Sequence, residues 1–331
     1  MAEMATELSK RVARGLDRLR TKRASAGAAA AVAVAGRELA KRSDGDQGSR
    51  SYRLARNEPP NEGLRRVARG RVERALERLR RESAEDPAEA VHGARKDLKK
   101  LRALIKLVRD QLGGSIYRLE NRFYRDVGRS LAGSRDATAT RDALVALRER
   151  YELGARFAGF ERELQARTGE ADSHALVEAA TALEAGLGRI DRWPVRGRDW
   201  AVFESGLRRT YRRALKRFAE ASDEPSDEGL HEWRKRVKDL WYEVRILENS
   251  DPKRMSDLAD DLHDLSDHLG DDHDLVMLRE RAEGSAELTN SERPELLEVI
   301  DRRRGELQLD AFSLGDRLFE SKPKQFSRSI V

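Results

Sequence analysis

Cysteine is absent from this chain. That excludes disulfides, thiolate metal sites and cysteine nucleophiles, and it suits a reducing compartment. Aromatic residues make up only 5% of the 331 positions, a thin supply for stacking the bases of a single-stranded nucleic acid. No apolar run approaches the roughly 18–20 residues that a membrane helix needs. Residues 24–36 are Ala-rich and follow a basic stretch, but Glu3, Glu7 and Asp17 precede them and do not fit a secretory leader. A cytoplasmic protein is expected. Proline is missing between Pro87 and Pro194, and β-branched alternation is nearly absent, whereas apolar spacings of three and four recur throughout. The expected fold class is all-α.

Charge is what the chain has in plenty. Charged residues are 38% of the total, against roughly 25% in a typical globular domain. The 66 basic and 60 acidic side chains leave a net charge of only +6, so the segregation of charge matters more than its sum. Most of the bases are arginine, whose planar guanidinium binds phosphate through two parallel hydrogen bonds.

Residues 1–42 read as one or two amphipathic helices, with Leu8, Val12, Leu16 and Leu19 on one face. A polar Gly- and Pro-bearing linker follows at 43–62, making 1–51 an N-terminal extension with its linker. The main domain is expected over 52–320, with a first half of about 52–192, a second half of about 193–320 and a tail at 321–331. Helices are expected at 63–82, from Pro87 onward, and at 115–132, 135–152, 155–168 and 173–189. Asp86 as N-cap, Pro87 at the first position and Glu89 at the third make a strong helix start. After Trp193 and Pro194 the pattern restarts, with helices at 198–221, 226–248, 252–269, 272–284 and 292–319.

The restart is an internal repeat. VHGARKDLKKLRALIKLV begins at Val91 and LHEWRKRVKDLWYEVRIL at Leu230. At a constant offset of 139, His92 matches His231, Arg95 matches Arg234, Lys96 matches Lys235, Lys99 matches Lys238 and Leu101 matches Leu240. On a helix at about 100° per residue, His92, Arg95, Lys96, Lys99, Arg102 and Lys106 share one arc, and Leu98, Leu101, Leu104, Ile105, Val108 and Leu112 the other. In the second copy His231, Arg234, Lys235, Lys238, Tyr242 and Arg245 share a face opposite Val237, Leu240, Val244 and Leu247. Rows of like charge repel, and a polyanion relieves them. One such stripe is commonly just a solvated helix face; the same stripe twice, histidine included, points to a shared ligand. Both histidines are expected to be partly protonated near neutrality, more so beside phosphate.

H-x-x-R-K-x-x-K-x-L-R at His92, repeated as H-x-x-R-K-x-x-K-x-L at His231, resembles the CHAD family, the conserved-histidine α-helical domain. The likeness spans about 52–320. It takes in Leu64-Arg65-Arg66 and Leu207-Arg208-Arg209 in the first helix of each half, and a later Arg135-Asp136 element. It implies two similar helical bundles related by a pseudo-twofold axis around a basic groove, binding of inorganic polyphosphate, and association with polyphosphate granules. Carried over by position, His92, Arg95, Lys96, Lys99, Arg102 and Lys106 would line that groove from one half, and His231, Arg234, Lys235, Lys238 and Arg245 from the other. Arg65, Arg66, Arg69, Arg208, Arg209 and Arg212 form a secondary basic set. The second copy departs from the first in carrying Trp241 where the first has Arg102, and His273-Asp274 where the first has Arg135-Asp136. The E-x-E-x-K signature of the triphosphate-tunnel enzyme domain that some relatives carry is missing.

Two other readings compete. A basic helical protein could bind nucleic acid through the same stripes. His263, Asp264, Asp267, His268, Asp271, His273 and Asp274 could suggest a metal site, and His273-Asp274 a metal-dependent phosphohydrolase. Against both of these metal readings, histidines five apart lie about 140° apart on a helix, and the first-repeat match of His273 is an arginine, which cannot ligate. Leu258, Leu262, Leu265 and Leu269 make this segment an amphipathic helix with an acidic outer face. His174 stands alone. No Walker-A loop or nucleophile elbow is present. The expectation is a non-enzymatic binder with no cofactor and no metal.

Overall fold

Proline at the first helical position marks the start of each of the first two helices. In the computed structural model, which describes residues 51–131, 135–166 and 173–331 (side chains of 135–137 apart), Pro60 opens α1, Pro60–Arg80. The Asp86 carboxylate accepts the Glu89 amide and opens α2, Pro87–Leu107. After α2 come α3, Arg109–Ser130, α4, Arg135–Arg150, α5, Ala158–Ala166, and α6, Ser173–Ile190. The second half holds α7, Glu204–Asp223, α8, Asp227–Ile246, α9, Pro252–Gly284, α10, Glu292–Leu318, and the short α11, Pro323–Arg328. Among the described residues there is no strand, and the fold is all-α as expected. The helices expected within residues 1–42 lie outside them.

Several boundaries differ from expectation: α1 begins at Pro60, inside the expected linker, and α7 begins at Glu204 after a 3-10 turn, Trp200–Phe203. α3 begins at Arg109 rather than at the expected 115, and Gly113, with φ 73°, kinks it near that expected start. α9 is one unbroken helix where two were expected, because its apolar positions continue in register through Leu262, Leu265, Leu269, Leu275 and Leu278, all buried. Gly270 is no breaker: a Cβ there would come within 3.0 Å of the Arg234 guanidinium, so this glycine makes room for α8.

α1, α2, α3 and α6 pack together, as do α7, α8, α9 and α10, and α8 also packs on α2. The principal core runs without a break from Leu64 through Leu101 and Leu104 to Trp233, Leu240 and Leu262. α4 and α5, first-half elements by sequence, pack instead on the far end of α9 and on α10, through Leu144, Phe160, Leu278, Leu296 and Ile300.

Three contacts pin the halves to each other. The Tyr52 hydroxyl donates to the Lys100 carbonyl at 3.0 Å, and its ring lies edge-on to Tyr242. The Leu54 amide donates to the Ile246 carbonyl at 3.0 Å, at the end of α8. Gly206 brings the start of α7 against the end of α2: a Cβ there would sit 1.8 Å from the Leu107 carbonyl oxygen.

Candidate functional site

Leu98, Leu101, Leu104 and Ile105 are at most 2% exposed, so the apolar side of α2 is buried and its opposite, cationic side is turned away from the core. Lys99 is exposed, and His92, Arg95, Lys96, Arg102 and Lys106 are partly so. Among the described residues Arg95 and Lys96 have no hydrogen-bond or ion-pair partner. In α8, Val237, Leu240 and Val244 are buried in the same manner, but its cationic side is engaged by a neighbour. His231 lies on His273 of α9, ring centroids 4.1 Å apart, and Arg234 fits over Gly270. Lys235 pairs with Glu232 at 2.6 Å. Arg245 stands over the Trp241 ring, which itself meets His263 edge-on. Trp241 and Tyr242 are buried and present no stacking surface.

His231 differs from the partly protonated histidine expected. Burial first, then His273, Lys235 and Arg234, push its pKa down to about 4, with Glu232 opposing. His273 is lowered too, by burial and then by Arg234. Without a ligand this pair is neutral at physiological pH.

Where the two halves meet, cations gather around one carboxylate. Lys106 of α2 reaches across to Asp239 of α8 at 2.6 Å, and Arg236 binds the other oxygen of Asp239 at 3.3 Å. Arg102 donates to Asn121 at 3.2 Å. Burial lowers its pKa, Asp239 opposes that, and Arg125 and Arg129 of α3 add to the lowering. Burial likewise lowers Lys106; Asp239 opposes, while Arg102 and Arg236 add to it. Arg213 of α7 is lowered by partial desolvation and by Arg236. Arg236 and Arg213 were not anticipated. Arg236 falls outside the stripe on the helical wheel, and its one sequence signal is the three-residue spacing to Asp239.

The secondary basic set has structural partners. Arg65 donates to the carbonyls of Asn61, Trp193 and Val195. Arg66 binds Glu58, Arg69 binds Asp191, Arg208 faces Glu204, and Arg209 binds Asp110. Arg212 is exposed. The Arg135 and Asp136 side chains lie outside the described ones. His263 faces Asp267 on its own helix at 2.9 Å. Among the described residues no three His, Asp or Glu side chains come together as metal ligands, and no helix is long and apolar enough to cross a membrane.

Residues 82–283 match the family described as CHAD domain, more than half of the chain and both motif helices. One of three solved chains that are similar, PptA from Streptomyces chartreusis, aligns with a TM-score of 0.50 at 16% identity, over 82% of this chain and 100% of that one. At that identity the likeness concerns the fold. No curated protein is similar enough to count as a relative.

Proposed function

The chain belongs to the CHAD domain family, and from that premise we propose that it binds inorganic polyphosphate without catalysing its breakdown. The observation that carries the reading is the meeting of Lys106 from the first half with Arg236 of the second on the two oxygens of Asp239, whose charge is also felt by Arg102 and Arg213. Cations whose charge is made costly by burial and by one another are stabilised by an added anion. A linear polyanion laid along α2 would continue from this cluster onto Lys99, Lys96 and Arg95, in a basic groove between the halves. His92 would lie on the same path. Such contacts carry no sequence information and release condensed counterions, so affinity falls with salt. The buried state of Trp241 and Tyr242 favours a ligand without bases to stack. Recruitment to polyphosphate granules in the cytoplasm would follow from binding many phosphates at once.

Competition tests this directly. Long-chain polyphosphate is expected to displace a labelled oligonucleotide at about 150 mM salt, where electrostatic non-specific binding has weakened. Tighter retention of the oligonucleotide overturns the reading. The double variant Lys99→Glu, Lys238→Glu is expected to lose binding with its helicity unchanged by circular dichroism; normal binding by that variant would mean the stripes are only solvated surface.

A further inference from the structure

We propose that Asp239 is a built-in competitor for the ligand, a carboxylate that holds the central cations in the free protein and must be displaced before phosphate can occupy them. The inference rests on the polyphosphate reading and assigns the residue that sets its selectivity.

Both oxygens of Asp239 are engaged, one by Lys106 from the first half and the other by Arg236 of its own helix. Its influence also reaches Arg102 and Arg213. The other acid nearby, Glu243, is fully buried and accepts from the Thr210 hydroxyl at 2.8 Å; burial holds its pKa well above the ordinary carboxylate value, favouring its neutral form. Asp239 is therefore the acid of this cluster that cations from both halves contact directly. The Lys106, Arg236 and Asp239 side chains are each 15–16% exposed, so a ligand can reach the triad from outside.

The consequence is selectivity by charge density. An incoming phosphate takes over the two bonds of Asp239 but leaves that carboxylate beside the new anion, unless it rotates into solvent. Orthophosphate exchanges one anion for another and gains little. A long chain makes the same exchange once, while adding contacts along α2 that have no internal competitor, at Arg95 and Lys96. Asp239 thus penalises short anions in proportion more than long ones.

The test is calorimetric titration of the full chain with orthophosphate, tripolyphosphate and long-chain polyphosphate. Asp239→Asn is compared with wild type and with Asp301→Asn of α10, which makes the same charge change beside Arg279 of α9. Asp239→Asn is expected to bind tripolyphosphate about tenfold more tightly, the effect of one close charge pair, and long chains by a smaller factor. Asp301→Asn is expected to change either by less than about twofold, its distant charge being screened. Asp239→Ser serves in its place if the asparagine variant does not fold. If wild type binds long chains and neither neutral variant is tighter on tripolyphosphate, the competitor role is wrong and Asp239 only positions Lys106 and Arg236. If wild type binds no polyphosphate at all, the underlying reading falls and this inference with it.

Discussion

The two motif helices share a pattern yet use it differently. At the offset of 139, Asp97 of α2 corresponds to Arg236 of α8, and Lys100 corresponds to Asp239. The signs are exchanged at both positions. In the first half the acid faces inward: Asp97 binds Arg71 at 2.9 Å and Arg78 at 3.3 Å, and Lys100 is buried beneath the Tyr52 ring. In the second half the exchanged pair faces the partner half, where Asp239 meets Lys106. A fixed internal ion cluster on one side has become, on the other, an ion cluster at the boundary. The outer stripes diverge as well. α2 keeps Arg95 and Lys96 without partners among the described residues, whereas α9 covers His231 and Arg234. The repeated motif gives two cationic helices, and packing leaves them with different availability.

The sharpest way to break this comparison is to neutralise the matched acids. Arg71 and Asp97 are 3% and 5% exposed. Removing one partner of so buried an ion pair typically costs about 3–5 kcal/mol, because the remaining charge is stranded. Asp97→Asn is therefore expected to lose that much stability in urea unfolding. Asp239→Asn should lose less than roughly half as much, since Lys106 and Arg236 can recruit water. Equal losses would mean that both clusters are structural. A smaller effect is expected at the seam between the halves. Gly206→Ala puts a methyl 1.8 Å from the Leu107 carbonyl oxygen, backbone that cannot step aside cheaply. Overpacking of this kind costs about 1–3 kcal/mol. The lost stability should come with weaker polyphosphate binding, because α7 carries Arg213 to the cluster. Unchanged binding would separate the seam from the site.

Much of this was legible in the chain and some was not, for physical reasons. Helix starts announce themselves locally: Asp86 with Glu89 caps α2 as its spacing says. The apolar faces of α2 and α8 are buried where the 3.6-residue period puts them, because burial of such faces is what holds a helix in place. The continuity of α9 was hidden by Gly270, whose purpose appears only once Arg234 lies over it. The docking of α4 and α5 on α10 was hidden because apolar spacing names a buried face without naming its partner. For the same reason Arg213 and Arg236 could not be assigned. A helical wheel sorts residues about one axis, and their meeting with Arg102 and Lys106 depends on how three axes are placed. The pKa of His231 was misjudged because its lowering comes mainly from burial against α9, which spacing alone does not reveal.

Comparing the stripes as ligand surfaces calls for paired neutralisations. Arg95→Ala with Lys96→Ala removes two cations without internal partners, and about a tenfold or greater loss in polyphosphate affinity is expected, with the salt slope reduced by about two. Arg234→Ala with Lys235→Ala removes one cation packed on Gly270 and one already paired with Glu232, so a smaller loss and a slope change nearer one are expected. Equal changes would show that α9 does not restrict the second stripe.

The smallest effect concerns protons. His231 titrates at about 4 in the folded protein, below its unfolded value of about 6.5. Between those limits the unfolded chain holds more protons at this site. Its stabilising contribution is complete above about pH 6.5 and is lost as pH falls toward 4. The groups facing it are His273, Lys235, Arg234 and Glu232, and the cations among them disfavour a further positive charge. After allowance for solvent screening the contribution is on the order of 1 kcal/mol, or about 2–4 °C in Tm. His231→Gln should therefore shrink the drop in Tm from pH 7 to pH 5 by that amount. Polyphosphate bound beside His231 would reverse the sign of the local field and favour imidazolium. Wild-type affinity should thus rise as pH falls from 7.5 to 5.5, with proton uptake measurable in buffers of different ionisation enthalpy. His231→Gln should blunt that rise; an unaltered pH profile would place the ligand away from His231 and the first turns of α8.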